Sequence, residues 1–121
     1  LFEAAQSLSK TGQYEKANEY LERAVLLSSD PMLYYVMAKN EQCLGEYRQA
    51  EKHLLHAIDI LPERIYPYYL LMNLYTEPSY FQPAKLKMAI DSVLTKKPKV
   101  ESSAIKEMKE KARSMLNNTS I

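Results

Sequence analysis

Apolar and polar residues follow each other along this chain with the period of an α-helix. Ala17, Leu21 and Ala24, for example, are spaced by four and three residues, which places them on one face of a helix. Six prolines and two glycines separate the periodic stretches. The pattern predicts an all-α chain with helices near residues 2–11, 14–28, 31–44, 47–60, 64–76, 83–96 and 102–117.

One pattern occurs twice, thirty-three residues apart. Gly12, Tyr14, Ala17, Leu21 and Ala24 recur as Gly45, Tyr47, Ala50, Leu54 and Ala57. Glycine permits the left-handed backbone of a tight turn between helices, and alanine allows two helix axes to approach closely. A period in the low thirties is typical of stacked helical pairs, in which each pair buries its apolar face against its neighbours.

At these residues the chain resembles the tetratricopeptide repeat, a family of helix–turn–helix solenoids. The second repeat fits best, with Tyr34 at the aromatic position, Met37 and Ala38 at the large–small pair, and Pro62 at the end. A third copy is degenerate, because residues 77–83 replace the glycine turn. The resemblance implies a right-handed helical-pair solenoid forming a single domain, 1–121. Its parts are repeat 1 (1–30), repeat 2 (31–63), degenerate repeat 3 (64–97) and a capping helix (102–117).

The last helix carries one apolar stripe. Its members are Ile105, Met108, Ala112, Met115 and Leu116, and Ser102 or Ser103 can cap its start. The open end of a solenoid exposes an apolar face, so we expect this helix to cover it. The alternatives are that it folds into the groove or docks on another protein.

Solenoids of this kind bind partners on the concave face, which is lined by the first helix of each pair. The positions expected there are Met32, Tyr35, Val36, Lys39, Gln42, Tyr66, Tyr69, Leu70 and Asn73. Tyrosine offers a large contact area at low entropic cost. Some family members hold a peptide carboxylate with lysine, asparagine and arginine, but Phe2, Gln6, Val36, Tyr66 and Leu70 occupy the matching positions here. We therefore expect a protein or peptide partner held by tyrosine and apolar contacts.

The sequence contains no recognisable catalytic or cofactor motif. We expect this segment to be no enzyme, with no catalytic residue, metal or cofactor. The lone Cys43 is expected to be a buried or half-buried structural residue, and His53 and His56 to be surface residues of a helix. A metal-binding helical domain that uses these three residues is the alternative.

Charge is distributed unevenly. Residues 1–62 carry six Lys and Arg against nine Asp and Glu, whereas residues 63–121 carry ten against six. The densest basic run, residues 96–99, is expected to be a solvated face, with an anionic membrane surface as the alternative. We expect no nucleic-acid partner, since no aromatic residues interleave that run. No apolar stretch is long enough to span a membrane.

Residues 96–109 also resemble the C-terminal tails of O-antigen ligase or polymerase-like membrane proteins of Bacteroides-type bacteria. The resemblance implies a soluble accessory domain, tethered to an inner membrane through N-terminal spans, in surface polysaccharide assembly. The first residue, Leu1, also indicates a piece of a longer protein. The leading hypothesis is thus a non-catalytic interaction scaffold. The alternative is a structural module that self-assembles as a homo-oligomer.

Overall fold

The computed structural model describes residues 2–118 and is built from helices. Its seven α-helices are α1 (Phe2–Lys10), α2 (Tyr14–Ala24), α3 (Met32–Cys43), α4 (Tyr47–Ile60), α5 (Tyr66–Leu74), α6 (Pro83–Thr95) and α7 (Ser103–Asn118). A short 3₁₀ helix, Pro78–Tyr80, lies in the loop before α6. The prediction of an all-α fold made of helical pairs is confirmed.

Helix α2 ends at Ala24, four residues before its predicted end. The backbone N–H groups of Leu26 and Leu27 bond to the carbonyls of Arg23 and Ala24, three residues earlier, which tightens the chain into a turn. Leu26 and Leu27 are consequently 82% and 84% exposed instead of lying on a helix face.

Both repeated glycines end a helix in the left-handed conformation. Gly12 has a φ of +83° and Gly45 a φ of +78°. After each glycine, the next backbone N–H bonds to the carbonyl five residues earlier: Gln13 to Leu8, and Glu46 to Glu41, both at 2.8 Å. This is the Schellman arrangement, which satisfies carbonyls at the end of a helix. The predicted role of the glycines in the helix–helix turns is therefore confirmed.

The helices form two compact units, one ending at Pro62 and the other beginning at Glu63. In the first unit, α2 packs on α1, α3 on α2 and α4 on α3, and α3 also touches α1. The repeated small and apolar residues, Ala17, Leu21, Ala24, Ala50, Leu54 and Ala57, are all buried. The positions predicted to pack closely are thus part of the core of the first unit.

A buried amide pair joins α2 to α3 within this apolar core. The Asn40 side-chain NH₂ donates to Oδ1 of Asn18 at 2.8 Å, and the Asn18 NH₂ donates to the Met37 carbonyl at 3.3 Å. Each amide is at most 8% exposed. The hydrogen bonds offset the cost of removing these groups from water.

In the second unit, α6 packs on α5, and α7 packs on α6 and touches α5. Helix α7 starts as expected, with the Ile105 N–H donating to the Ser102 hydroxyl at 3.2 Å. The Lys109 ammonium then donates to the carbonyls of Val93, Leu94 and Lys96 at 2.8, 3.3 and 2.9 Å. A cation at these carbonyls is favourable, because the C-terminal end of a helix carries partial negative charge. Helix α7 is thereby anchored to the end of α6.

Candidate functional site

Two tyrosines and an asparagine line one side of α5. Tyr66, Tyr69 and Asn73 recur at intervals of three and four residues, and all three side chains are partly exposed. The rings of Tyr66 and Tyr69 are stacked, with centroids 6.4 Å apart and planes inclined by 24°. The other side of the helix is buried, with Pro67, Leu71 and Leu74 in the core. Burial of these residues therefore directs the two tyrosines outward.

A lysine from α7 completes this surface. The Lys111 ammonium lies 5.6 Å from the centroid of the Tyr69 ring, within the range of a cation–π contact. Tyr66, Tyr69, Asn73 and Lys111 together are called the tyrosine face below. Sequence reasoning placed the three α5 residues on one face but missed Lys111, because its position depends on how α7 packs beside α5.

The groove positions predicted on α3 have unequal exposure. Met32 is 47% exposed, and Lys39 is exposed as well. Gln42 is partly buried, and Val36 packs against the apolar core of the first unit. The outward side of α3 therefore carries an exposed apolar residue and an exposed cation.

Two of the predicted groove residues expose little surface. Tyr35 and Leu70 are each only 7% exposed. Most of the area of each side chain is already in contact with the rest of the chain. The assignment of these nine positions to one binding groove stays a prediction.

Cys43 is exposed, so the prediction of a buried or half-buried cysteine is wrong. Cys43 follows Lys39 by four residues and therefore lies on the same, outward side of α3. Its position on the helix keeps the thiol at the surface, although a thiol is apolar enough to be buried. The Tyr14 hydroxyl hydrogen-bonds with the Cys43 side chain. This bond, followed by electrostatic interaction with the thiol and by desolvation, raises the pKa of Tyr14 above its usual value.

The two histidines differ in their surroundings. Nδ1 of His53 lies 2.8 Å from Oε1 of Glu41, a buried carboxylate on α3, and the His53 side chain is only 17% exposed. His56 is exposed, and its ring meets the Tyr34 ring edge-on at 4.7 Å. His53 thus joins α4 to α3, whereas His56 is a surface residue, as predicted. Within residues 2–118, no group of three or more His, Cys, Asp or Glu side chains is placed to hold a metal ion.

Replacing His53 with alanine is expected to destabilise the chain by about 1–3 kcal/mol, because it removes the partner of the buried Glu41 carboxylate. His56→Ala is the matched control, since it deletes the same side chain from an exposed position of the same helix. Urea unfolding followed by circular dichroism measures both. Equal losses of stability for the two variants would contradict a stabilising role for the His53–Glu41 contact.

A cavity of about 360 Å³ lies in the first unit, beside the turn that follows α2. Phe2, Ala24, Leu27, Ser28, Asp30 and Leu33 line it. Its walls are mainly apolar, and the exposed Leu26 stands next to it in the sequence. Two exposed leucines, Leu26 and Leu27, therefore lie at or beside this cavity.

The basic run after α6 is partly engaged with the fold. The Lys96 ammonium lies 4.9 Å from the centroid of the Tyr68 ring. Lys97 and Lys99 are exposed. Lys96 therefore packs against α5, and two of the three lysines remain on the solvated face that the sequence predicted. None of the helices described is long and apolar enough to cross a membrane.

Comparison with protein families identifies the first helical pair. Residues 1–31 match the family model described as the tetratricopeptide repeat. The match contains α1, the Gly12 turn and α2, and it supports the family resemblance noted from the repeated glycine, tyrosine and alanine positions. No curated protein matches the chain. Repeats of this family generally mediate protein–protein contacts and are generally not catalytic.

Proposed function

We propose that this chain is a non-catalytic protein-interaction module of the tetratricopeptide type, which binds an extended peptide segment of another protein. The observation that carries the proposal is the stacked pair Tyr66 and Tyr69, held outward on α5 with Lys111 beside it. Tyrosine is enriched where proteins bind each other, since it is large, rigid and amphipathic. The match of residues 1–31 to a family of interaction repeats supports the same function.

Selection from a random peptide library displayed on phage tests this proposal. We expect the immobilised chain to enrich peptides whose binding falls at least about tenfold in Tyr69→Ala, because interface tyrosines are common hot spots. Tyr20→Ala is the matched control: Tyr20 is also half-buried with a cation near its ring, Arg23 at 5.1 Å, but it lies on α2. Isothermal titration with an enriched peptide measures the affinities.

Two results would contradict the proposal. One is a failure to enrich any peptide with a folded, helical chain. The other is an equal loss of affinity in Tyr69→Ala and Tyr20→Ala, which would indicate a general effect on the fold. Circular dichroism of each variant, recorded beside the binding data, separates a lost contact from lost helicity.

A more specific setting is the surface-polysaccharide machinery of bacteria. The resemblance of residues 96–109 to tails of O-antigen ligase-like membrane proteins supports it, and that sequence resemblance is its only support. In this setting the module is an accessory domain, and the glycan chemistry belongs to a membrane region upstream. The gene sequence upstream tests the idea: an open reading frame without a series of hydrophobic spans would exclude it.

Self-assembly is the second candidate function. The exposed Leu26 and Leu27, next to the apolar cavity of the first unit, favour it. Apolar surface of this kind is often covered by another protein. Light scattering that finds only monomer over a wide range of concentrations would exclude this candidate.

A further inference from the structure

We propose that the tyrosine face selects an acidic peptide segment, in which a carboxylate binds Lys111 and a neighbouring apolar side chain packs on Tyr66 and Tyr69. The inference rests on the proposed function and specifies the chemistry of its partner. It differs from recognition of a chain-terminal carboxylate by a set of lysine, asparagine and arginine side chains, since α5 carries no cation.

The Lys111 ammonium supplies the positive charge of the tyrosine face. Lys111 is exposed, and its described contact is the Tyr69 ring. No carboxylate within residues 2–118 lies at ion-pair distance from it. The ring orients the ammonium through a cation–π contact, yet the three N–H donors of lysine still permit a carboxylate to bind. Lys111 is thus a positioned cation at the edge of an aromatic surface.

The part of the chain that contains the tyrosine face has a net positive charge. Helix α5 contains no acidic residue, so nothing on it repels an approaching carboxylate. Residues 63–121 carry ten Lys and Arg against six Asp and Glu, a net charge of +4. Two acidic residues of α7 precede Lys111: Glu110 by one residue and Glu107 by four, which is about one turn. Complementary charge favours an acidic partner and disfavours a basic one.

Aromatic rings and a side-chain amide lie beside the cation. The rings of Tyr66 and Tyr69 form a continuous aromatic surface, and Asn73 follows Tyr69 by one turn of the same helix. The Asn73 side chain can donate to a peptide carbonyl and accept from a peptide N–H. In a segment with an apolar residue next to an acidic one, the apolar side chain can pack on the rings and the carboxylate can bind the ammonium. The peptide backbone can then hydrogen-bond with the Asn73 amide.

Three synthetic peptides test the inference. They share one length and one set of leucine and proline positions, and carry glutamate, glutamine or lysine at the remaining positions. Fluorescence anisotropy with the full chain is expected to show the highest affinity for the glutamate peptide. Charge complementarity at an exposed pair predicts that the lysine peptide binds about 3- to 10-fold more weakly than the glutamine peptide or not at all.

Lys111→Glu is expected to weaken binding of the glutamate peptide by about 3- to 10-fold and to leave the glutamine peptide almost unchanged. Lys106→Glu is the matched control, because it makes the same charge change on the same helix, five residues away and on a different side. Equal losses in the two variants would overturn the inference, since they would assign the preference to the net charge of the unit.

The outcomes separate this inference from the proposed function. If all three peptides bind equally and Tyr69→Ala abolishes binding, the interaction module stands and the acidic preference is wrong. If no peptide binds the folded chain, both are wrong. Binding to vesicles that contain phosphatidylserine is measured as well. If the chain binds these vesicles through Lys111 but does not bind the glutamate peptide, the inference is wrong and the surface binds lipid.

Discussion

Leu54→Ala is expected to lower the free energy of unfolding by about 3 kcal/mol. Leu54 is 2% exposed and lies on α4 between the small residues Ala50 and Ala57. Removing a buried leucine side chain loses its transfer free energy and leaves a cavity, and such changes cost about 2–5 kcal/mol. The closely packed alanines on either side have no long side chains that can move to fill the space.

The adjacent residue is the control for this prediction. Leu55→Ala makes the same chemical change one position later, where the side chain is 48% exposed, and we expect it to cost less than about 1 kcal/mol. Urea denaturation monitored by circular dichroism, with hydrogen exchange of the α4 amides, measures both variants. Similar losses for Leu54→Ala and Leu55→Ala would show that the repeated leucine is not a core residue.

The second large effect is expected from a charge placed under α7. Ala112 is fully buried, so Ala112→Glu forces a carboxylate against α6 or drives the helix away from it. Burying an unpaired charge costs several kcal/mol, and release of α7 is the cheaper outcome. We expect the amides of α7 to lose their protection from hydrogen exchange, while the amides of α3 and α4 keep theirs.

Arg113→Glu introduces the same side chain at the exposed neighbouring position and is expected to leave α7 protected. Detachment of α7 is also expected to expose apolar surface of α6 and to increase dye binding and self-association. These readouts test the capping role that the apolar stripe of α7 predicts. A protected α7 in Ala112→Glu would contradict it.

Much of the fold was predictable because it depends on local signals. Glycines with positive φ, alanines at helical spacing and prolines at helix starts act through backbone and steric effects that each position carries by itself. The end of α2 was the exception. Leu26 and Leu27 continue the apolar pattern, yet the chain turns there, because hydrogen bonds to carbonyls three residues earlier replace those of the helix.

The candidate site was only partly predictable. The spacing of Tyr66 and Tyr69 places them on one face of α5, but Lys111 joins them from α7, forty-two residues after Tyr69. Cys43 is exposed because its position on α3, and not the apolar character of its side chain, decides which way it faces. His53 was assigned to the surface, since its partner Glu41 lies on another helix. Contacts between helices decide the surroundings of Lys111 and His53, and a periodic pattern within one helix does not specify them.

The amide pair between Asn18 and Asn40 has a consequence for how the helices of the first unit align. Apolar contacts tolerate sliding, whereas two amides bond only when they are opposite each other. Moving α3 by one turn along α2 would leave both side chains buried without partners, at a cost of about 1–3 kcal/mol for each. The pair therefore fixes the register of α3 against α2. It favours one alignment of α2 and α3, and so determines which side chains of α3 face outward.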